Sequence, residues 1–134
     1  MVKLMKEKGT TLDPTLAIFQ AMLLSRPGQI APNDLRWLDH VPMSMQRARR
    51  QAVLDIKPEQ YAKYEASYRK LLQVMDLLHK EGIPLVPGTD DEAGFMLHSE
   101  LEAWVDAGIP ASDVLRAATI RAAHFSAQTK PPEA

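Results

Sequence analysis

Asp90 closes the tripeptide Gly88-Thr89-Asp90, just past a short apolar run at residues 83–87 (IPLVP). In α/β proteins the mouth of a strand is where ligands and catalytic groups gather. A carboxylate there can hold a hard cation, or take a proton from a water that a metal has activated. Asp90, Asp91 and Glu92 also read as a helix cap or a solvated turn. His98 follows at the start of the next helical stretch. It can reach back over the strand end towards a substrate, or it is a plain helix-surface histidine.

The rest of the chain excludes more chemistry than it adds. His40, His79 and His124 are scattered, and no His-x-His or His-Glu-x-x-His spacing occurs. The chain has no cysteine, which removes disulfides, thiolate zinc sites and cysteine nucleophiles. There is no Walker-type loop, no Gly-x-Gly-x-x-Gly and no Gly-x-Ser-x-Gly. Arg47, Arg49 and Arg50 form a small basic run that reads as a solvated helix face. Tyr61, Tyr64 and Tyr68 make an aromatic stripe at helical spacing, which reads as core.

With 16 basic and 17 acidic side chains the formal net charge is −1. That balance gives no electrostatic case for nucleic acid or an anionic membrane as partner. No run approaches the roughly 18 apolar residues of a membrane span. Residues 1–9 are charged and carry no signal-peptide apolar core. The expectation is a soluble chain of undetermined compartment. Its 134 residues, 46% hydrophobic and 25% charged, suit one globular domain.

The elements that must position Asp90 follow from periodicity. Residues 1–8 read as a helix end, with Lys6 and Lys8 near its C-terminus and Gly9 as the stop. Residues 11–16 suggest a short strand that Pro14 must end or keep at an edge. Residues 17–57 read as an irregular excursion with short helices outside the core; Ala17 to Leu24 is one of them, and Asn33 is a candidate cap for another. Pro58 opens a long helix whose inner face is Tyr61, Tyr64, Tyr68, Leu71, Leu72, Met75 and Leu78. Gly82 ends it, and residues 83–87 read as a buried strand. Beyond the acidic turn, Leu97, Leu101, Trp104 and Val105 predict the inner face of a helix from Met96 to Asp106. A last helix runs from about Ala111 to Ser126, with Val114, Leu115, Ala118 and Ala122 inward. Residues 128–134 read as a frayed tail.

Helix, strand, excursion, long helix, strand and two helices make an α/β pattern with two short parallel strands. Two such strands cannot form a stable sheet alone.

Residues 82–123 carry three features in order. The first is the run ending in Gly88-Thr89-Asp90. The second is Leu97, His98, Glu100, Leu101 and Glu102, followed by Ala107-Gly108. The third is Leu115-Arg116-Ala117-Ala118-Thr119 with Ala122 and Ala123. Together they resemble the C-terminal part of the metal-dependent amidohydrolase superfamily, in the branch of imidazolonepropionase-like and prolidase-like enzymes. Lys6-Glu7-Lys8-Gly9 and Pro14-Thr15-Leu16 resemble the preceding helix and strand of the same branch.

The resemblance implies the C-terminal portion of a (β/α)8 TIM barrel over residues 1–127, with residues 11–16 and 83–87 as its seventh and eighth strands. It implies hydrolysis of an amide or cyclic-amide carbon–nitrogen bond by metal-activated water, with a small-molecule amide as substrate. Asp90 would be the catalytic carboxylate and a ligand to a divalent metal, zinc by preference. His98 would lie on the substrate side or behind the ligands. The family's His-x-His and its middle-strand Lys or His ligands have no counterpart here. The expectation is therefore a C-terminal fragment that is inactive alone. The alternative is a non-catalytic helical interaction module. In either case exposed strand edges offer a route to self-association.

Overall fold

The computed structural model describes residues 1–91 and 94–129. Eight α-helices are found among them: α1 (Val2–Lys8), α2 (Leu16–Leu24), α3 (Pro32–Leu35), α4 (Met43–Ala48), α5 (Tyr61–Lys80), α6 (Met96–Asp106), α7 (Ala111–Arg116) and α8 (Ala122–Thr129). Short 3-10 turns occupy Leu38–His40 and Pro58–Gln60, and a π-helical turn at Ala117–Arg121 joins α7 to α8.

The α/β expectation is overturned. No strand forms among the described residues, and a barrel portion has no support in this architecture. Residues 11–16 and 83–87 meet in one isolated parallel bridge, Leu12 with Leu85. The Leu12 N–H donates to the Pro84 carbonyl at 2.9 Å, and the Val86 N–H donates to the Leu12 carbonyl at 3.0 Å. The physical reason for stopping there is proline. In a parallel ladder the next bond one way needs an N–H at position 14, and the next bond the other way needs one at position 84. Pro14 and Pro84 have none. The bridge is closed at both ends by residues that cannot extend it.

Helix packing therefore carries the core. Leu16, Met75, Leu78, Ile83, Leu85 and Trp104 cluster with Ile109, Val114, Ala103 and Ala117, all buried. Leu85 is 1% exposed, so the bridged segment is a central element of the core although it is not a strand. The reading of residues 17–57 as lying outside the core also needs correction for α2. This helix packs against both α5 and α6, and its Leu16 and Ala17 are buried.

The long amphipathic helix forms over Tyr61–Lys80, after the Pro58–Gln60 turn. Tyr68, Met75 and Leu78 are buried on its inner face, and Lys63, Glu65, Lys70 and Gln73 are exposed. Gly82 follows in the left-handed region at φ 72°, and the Ile83 N–H closes back to the Leu78 carbonyl at 3.0 Å. That turn sends the chain directly into the buried 83–87 segment.

Helix α6 has the expected bounds but a different inner face. Met96, Ser99, Glu100, Ala103 and Trp104 are buried, while Leu97 and Val105 are exposed. In the C-terminal run Val114 and Ala117 are buried, and Leu115 is 60% exposed rather than inward. The Glu100 carboxylate explains the rotation of α6. Its Oε2 accepts the Ala17 N–H at 2.6 Å, and its Oε1 accepts the Trp104 Nε1–H at 2.8 Å. A buried acid on α6 thus satisfies the first turn of α2, whose own N-cap, Thr15, makes no side-chain cap bond.

No helix of the described residues is long and apolar enough to cross a membrane.

Candidate functional site

Asp90 lies five residues past the bridging Leu85, and its backbone sits in the left-handed region at φ 49°. Thr15, three residues past the bridging Leu12, has the same φ of 49°. These are the only non-glycine residues of positive φ among those described. For a β-branched threonine that conformation is strained, and such strain collects at functional sites. Both segments thus leave the bridge through a left-handed residue, strained at Thr15 and readily adopted by an aspartate at Asp90.

The two exits touch. A Cβ built on Gly88 would lie 2.1 Å from the Asp13 Oδ2 atom, so a side chain at position 88 would displace that carboxylate. Asp13 in turn accepts the Thr15 hydroxyl at 3.0 Å. The glycine of Gly88-Thr89-Asp90 is therefore explained by the close approach of Asp13.

Asp90 is exposed and lines a cleft of about 390 Å³ together with Arg49 and Asp91; Ile18, Met45 and Val53 give it apolar walls. Arg49 is the organising cation. Its Nη2 pairs with the Asp91 Oδ2 at 2.5 Å, and its Nη1 lies 4.0 Å from the Asp34 Oδ1. All three side chains are largely buried, which makes the pairings geometrically meaningful. Burial pushes the Asp34 carboxyl above the ordinary range; Arg49 draws it back down and Asp91 adds to the rise.

An aromatic patch borders this cluster. The Arg49 guanidinium lies 5.9 Å from the Phe95 ring centre. Trp37 stacks on Phe95 at 6.2 Å and on His98 at 5.7 Å. The buried Trp37 Nε1 has no hydrogen-bond partner among the described residues. His98 is thus an exposed ring stacked on Trp37, and it does not line the cleft that Asp90 lines. The structure brings Asp90 together with Asp91 and Arg49, and not with His98.

The capping alternative for the acidic turn does not hold for its described members. The N-cap of α6 is Phe95, with no side-chain cap bond. Glu92 lies outside the described residues.

As a metal site the arrangement is incomplete. No group of three His, Cys, Asp or Glu side chains could hold an ion among the described residues. The carboxylates of Asp91, beside Asp90 in the cleft, and of Asp34 face the Arg49 cation. The donors present do not by themselves fit a metal ion. What remains is one exposed carboxylate at the edge of the cleft, placed to orient a water.

Arg49, Asp34 and Trp37 escaped the sequence reading. A signal for Arg49 was available: it stands one helical turn from Met45, which packs inward, whereas Arg47 and Arg50 are exposed.

Comparison with protein-family models, with curated proteins and with solved structures finds no match to this chain.

Proposed function

We propose that this chain contributes to a metal-dependent hydrolase of carbon–nitrogen bonds, of the kind its sequence resembles, and that it is inactive alone. The observation that supports this reading is the placement of Asp90. An exposed carboxylate stands at the edge of a cleft, five residues past the buried bridge at Leu85. Asp90 would take a proton from the attacking water and return it to the departing nitrogen. Arg49, through Asp91, would fix the segment that carries it. A divalent ion, zinc by preference, would require further ligands from outside the described residues, and the substrate is a small amide.

The test is complementation. The purified chain should show no zinc-dependent amide hydrolysis. Mixed with the separately expressed remainder of a related amidohydrolase it should acquire that activity, and Asp90→Asn should abolish it. Hydrolysis by the chain alone above an Asp90→Ala control would overturn the proposal, and so would a mixture that stays inactive.

One observation favours the second reading, a helical interaction module. The chain exposes 8797 Å², whereas a compact monomer of this mass exposes about 7,000 Å².

A further inference from the structure

A cleft larger than the one at Asp90 lies between the end of α2 and the first half of α5. It has a volume of about 600 Å³, within the range of small-molecule sites. Tyr61, Glu65, Tyr68, Arg69 and Leu72 project into it from one face of α5, and Arg26 and Leu24 close the opposite side.

Arg26 is a charged residue only 8% exposed. Its Nη1 donates to the Leu23 carbonyl at 3.0 Å and to the Ser25 carbonyl at 2.9 Å. Its guanidinium carbon stands 3.9 Å over the centre of the Tyr61 ring, a cation–π contact that fixes the plane of the group. The second nitrogen, Nη2, is left with Glu65 at 3.6 Å, longer than a hydrogen bond. So a buried guanidinium is oriented by two carbonyls and a ring, and offers its remaining N–H groups to the cleft.

Two further donors stand beside it. Arg69 is exposed and has no acidic partner among the described residues. The Tyr68 side chain is 7% exposed and lines the cleft, and its hydroxyl makes no hydrogen bond among the described residues. Burial, with Glu100 and Asp106 nearby, pushes that hydroxyl up to about 12, so it stays a neutral donor at ordinary pH.

We propose that this cleft binds a small organic carboxylate, with the anion on Arg26 and Arg69 and the apolar body against Tyr61, Leu24 and Leu72. Glu65 decides the class of anion. Its carboxylate lies 3.6 Å from Arg26 Nη2, so a bound anion competes with it for that nitrogen. The same charge repels a dianion such as phosphate more strongly than a monoanion. The planar guanidinium is suited to the two oxygens of a carboxylate.

Phenylacetate is the probe, read by saturable shifts of the Arg26, Gln29 and Arg69 backbone amides in an NMR titration of the whole chain. Arg69→Gln, at an exposed position, should weaken binding about tenfold, the scale of one charge-assisted hydrogen bond. Glu65→Gln should tighten it severalfold by removing the competing carboxylate. The neutral alcohol 2-phenylethanol should bind far more weakly. Equal binding of the alcohol, tighter binding of inorganic phosphate, or no saturable shift in wild type or in Glu65→Gln would each overturn the assignment.

Discussion

Glu100 is fully buried on α6, where its carboxylate accepts the Ala17 N–H and the Trp104 Nε1–H and lies in the field of the Asp13 carboxylate. Burial pushes the carboxyl above its ordinary value of 4.5, while the N–H groups of Ala17, Trp104 and Leu16 pull the other way without cancelling the rise. The folded state therefore holds the proton more firmly than the unfolded chain does. The stabilisation is complete below about pH 4.5 and is lost as pH rises through the folded-state value. Glu100→Gln should remove this pH dependence, so the difference between wild type and variant in urea unfolding should change from acid to neutral pH. The variant should also be weaker by about 1–3 kcal/mol in acid, because its amide nitrogen meets an N–H where an acceptor is needed. A difference that is flat with pH would show that Glu100 stays ionised in the fold. Gly88 gives a second test at this scale. Gly88→Ala should cost about 1–2 kcal/mol by displacing the Asp13 carboxylate. The cost should shrink in an Asp13→Ala background, a coupling that a double-mutant cycle reads directly. The place of Asp90 just past a buried apolar run could be read from the sequence, because residues 83–87 are apolar and bounded by glycines. Arg49 could not, since its neighbours Arg47 and Arg50 carry the same charge and only tertiary packing separates them.

At the level of elements, the sequence shows helices well where one face is apolar at regular spacing. The bounds of α6 and the inner face of α5 follow from that rule alone. The rule fails on α6 for a definite reason. Periodicity places Leu97 and Val105 inward, but Glu100 must reach the N-terminus of α2, and turning it inward carries the two aliphatic residues to the surface. A buried polar contact between distant segments has no local signature. The strands fail for the opposite reason: Ile83, Leu85 and Val86 have strand character, yet Pro14 and Pro84 each remove the bond that would extend the bridge. Pro14→Val restores one donor, facing the Val86 carbonyl. Amide exchange at position 14 should then be slow and that at Val86 slower than in the parent, with overall stability changed by less than about 1 kcal/mol, because the new bond offsets the lost stiffening of the unfolded chain. Unprotected exchange at position 14 would mean that the Thr15 conformation, and not proline chemistry, ends the bridge.

The whole molecule poses a question of surface. Its 8797 Å² exceeds the roughly 7,000 Å² of a compact monomer of the same mass by about twice what one partner contributes to a standard interface. Part of the exposed surface is apolar and lies along the C-terminal run, where Leu115 is 60%, Ile120 58% and Phe125 39% exposed. The bridged segments add open backbone edges, since Leu12 spends both its groups on residues 84 and 86. A chain of this kind should associate with itself at high concentration, and sedimentation velocity should show the mean coefficient rising with loading. Leu115→Lys with Ile120→Lys should hold it monomeric and leave the helical circular dichroism unchanged, because neither side chain is buried. Association that survives the double lysine variant would place the contact on the open edges of the bridge. A wild-type chain that stays monomeric throughout would remove self-association as the use of this surface. The excess surface would then be left for a different chain to cover.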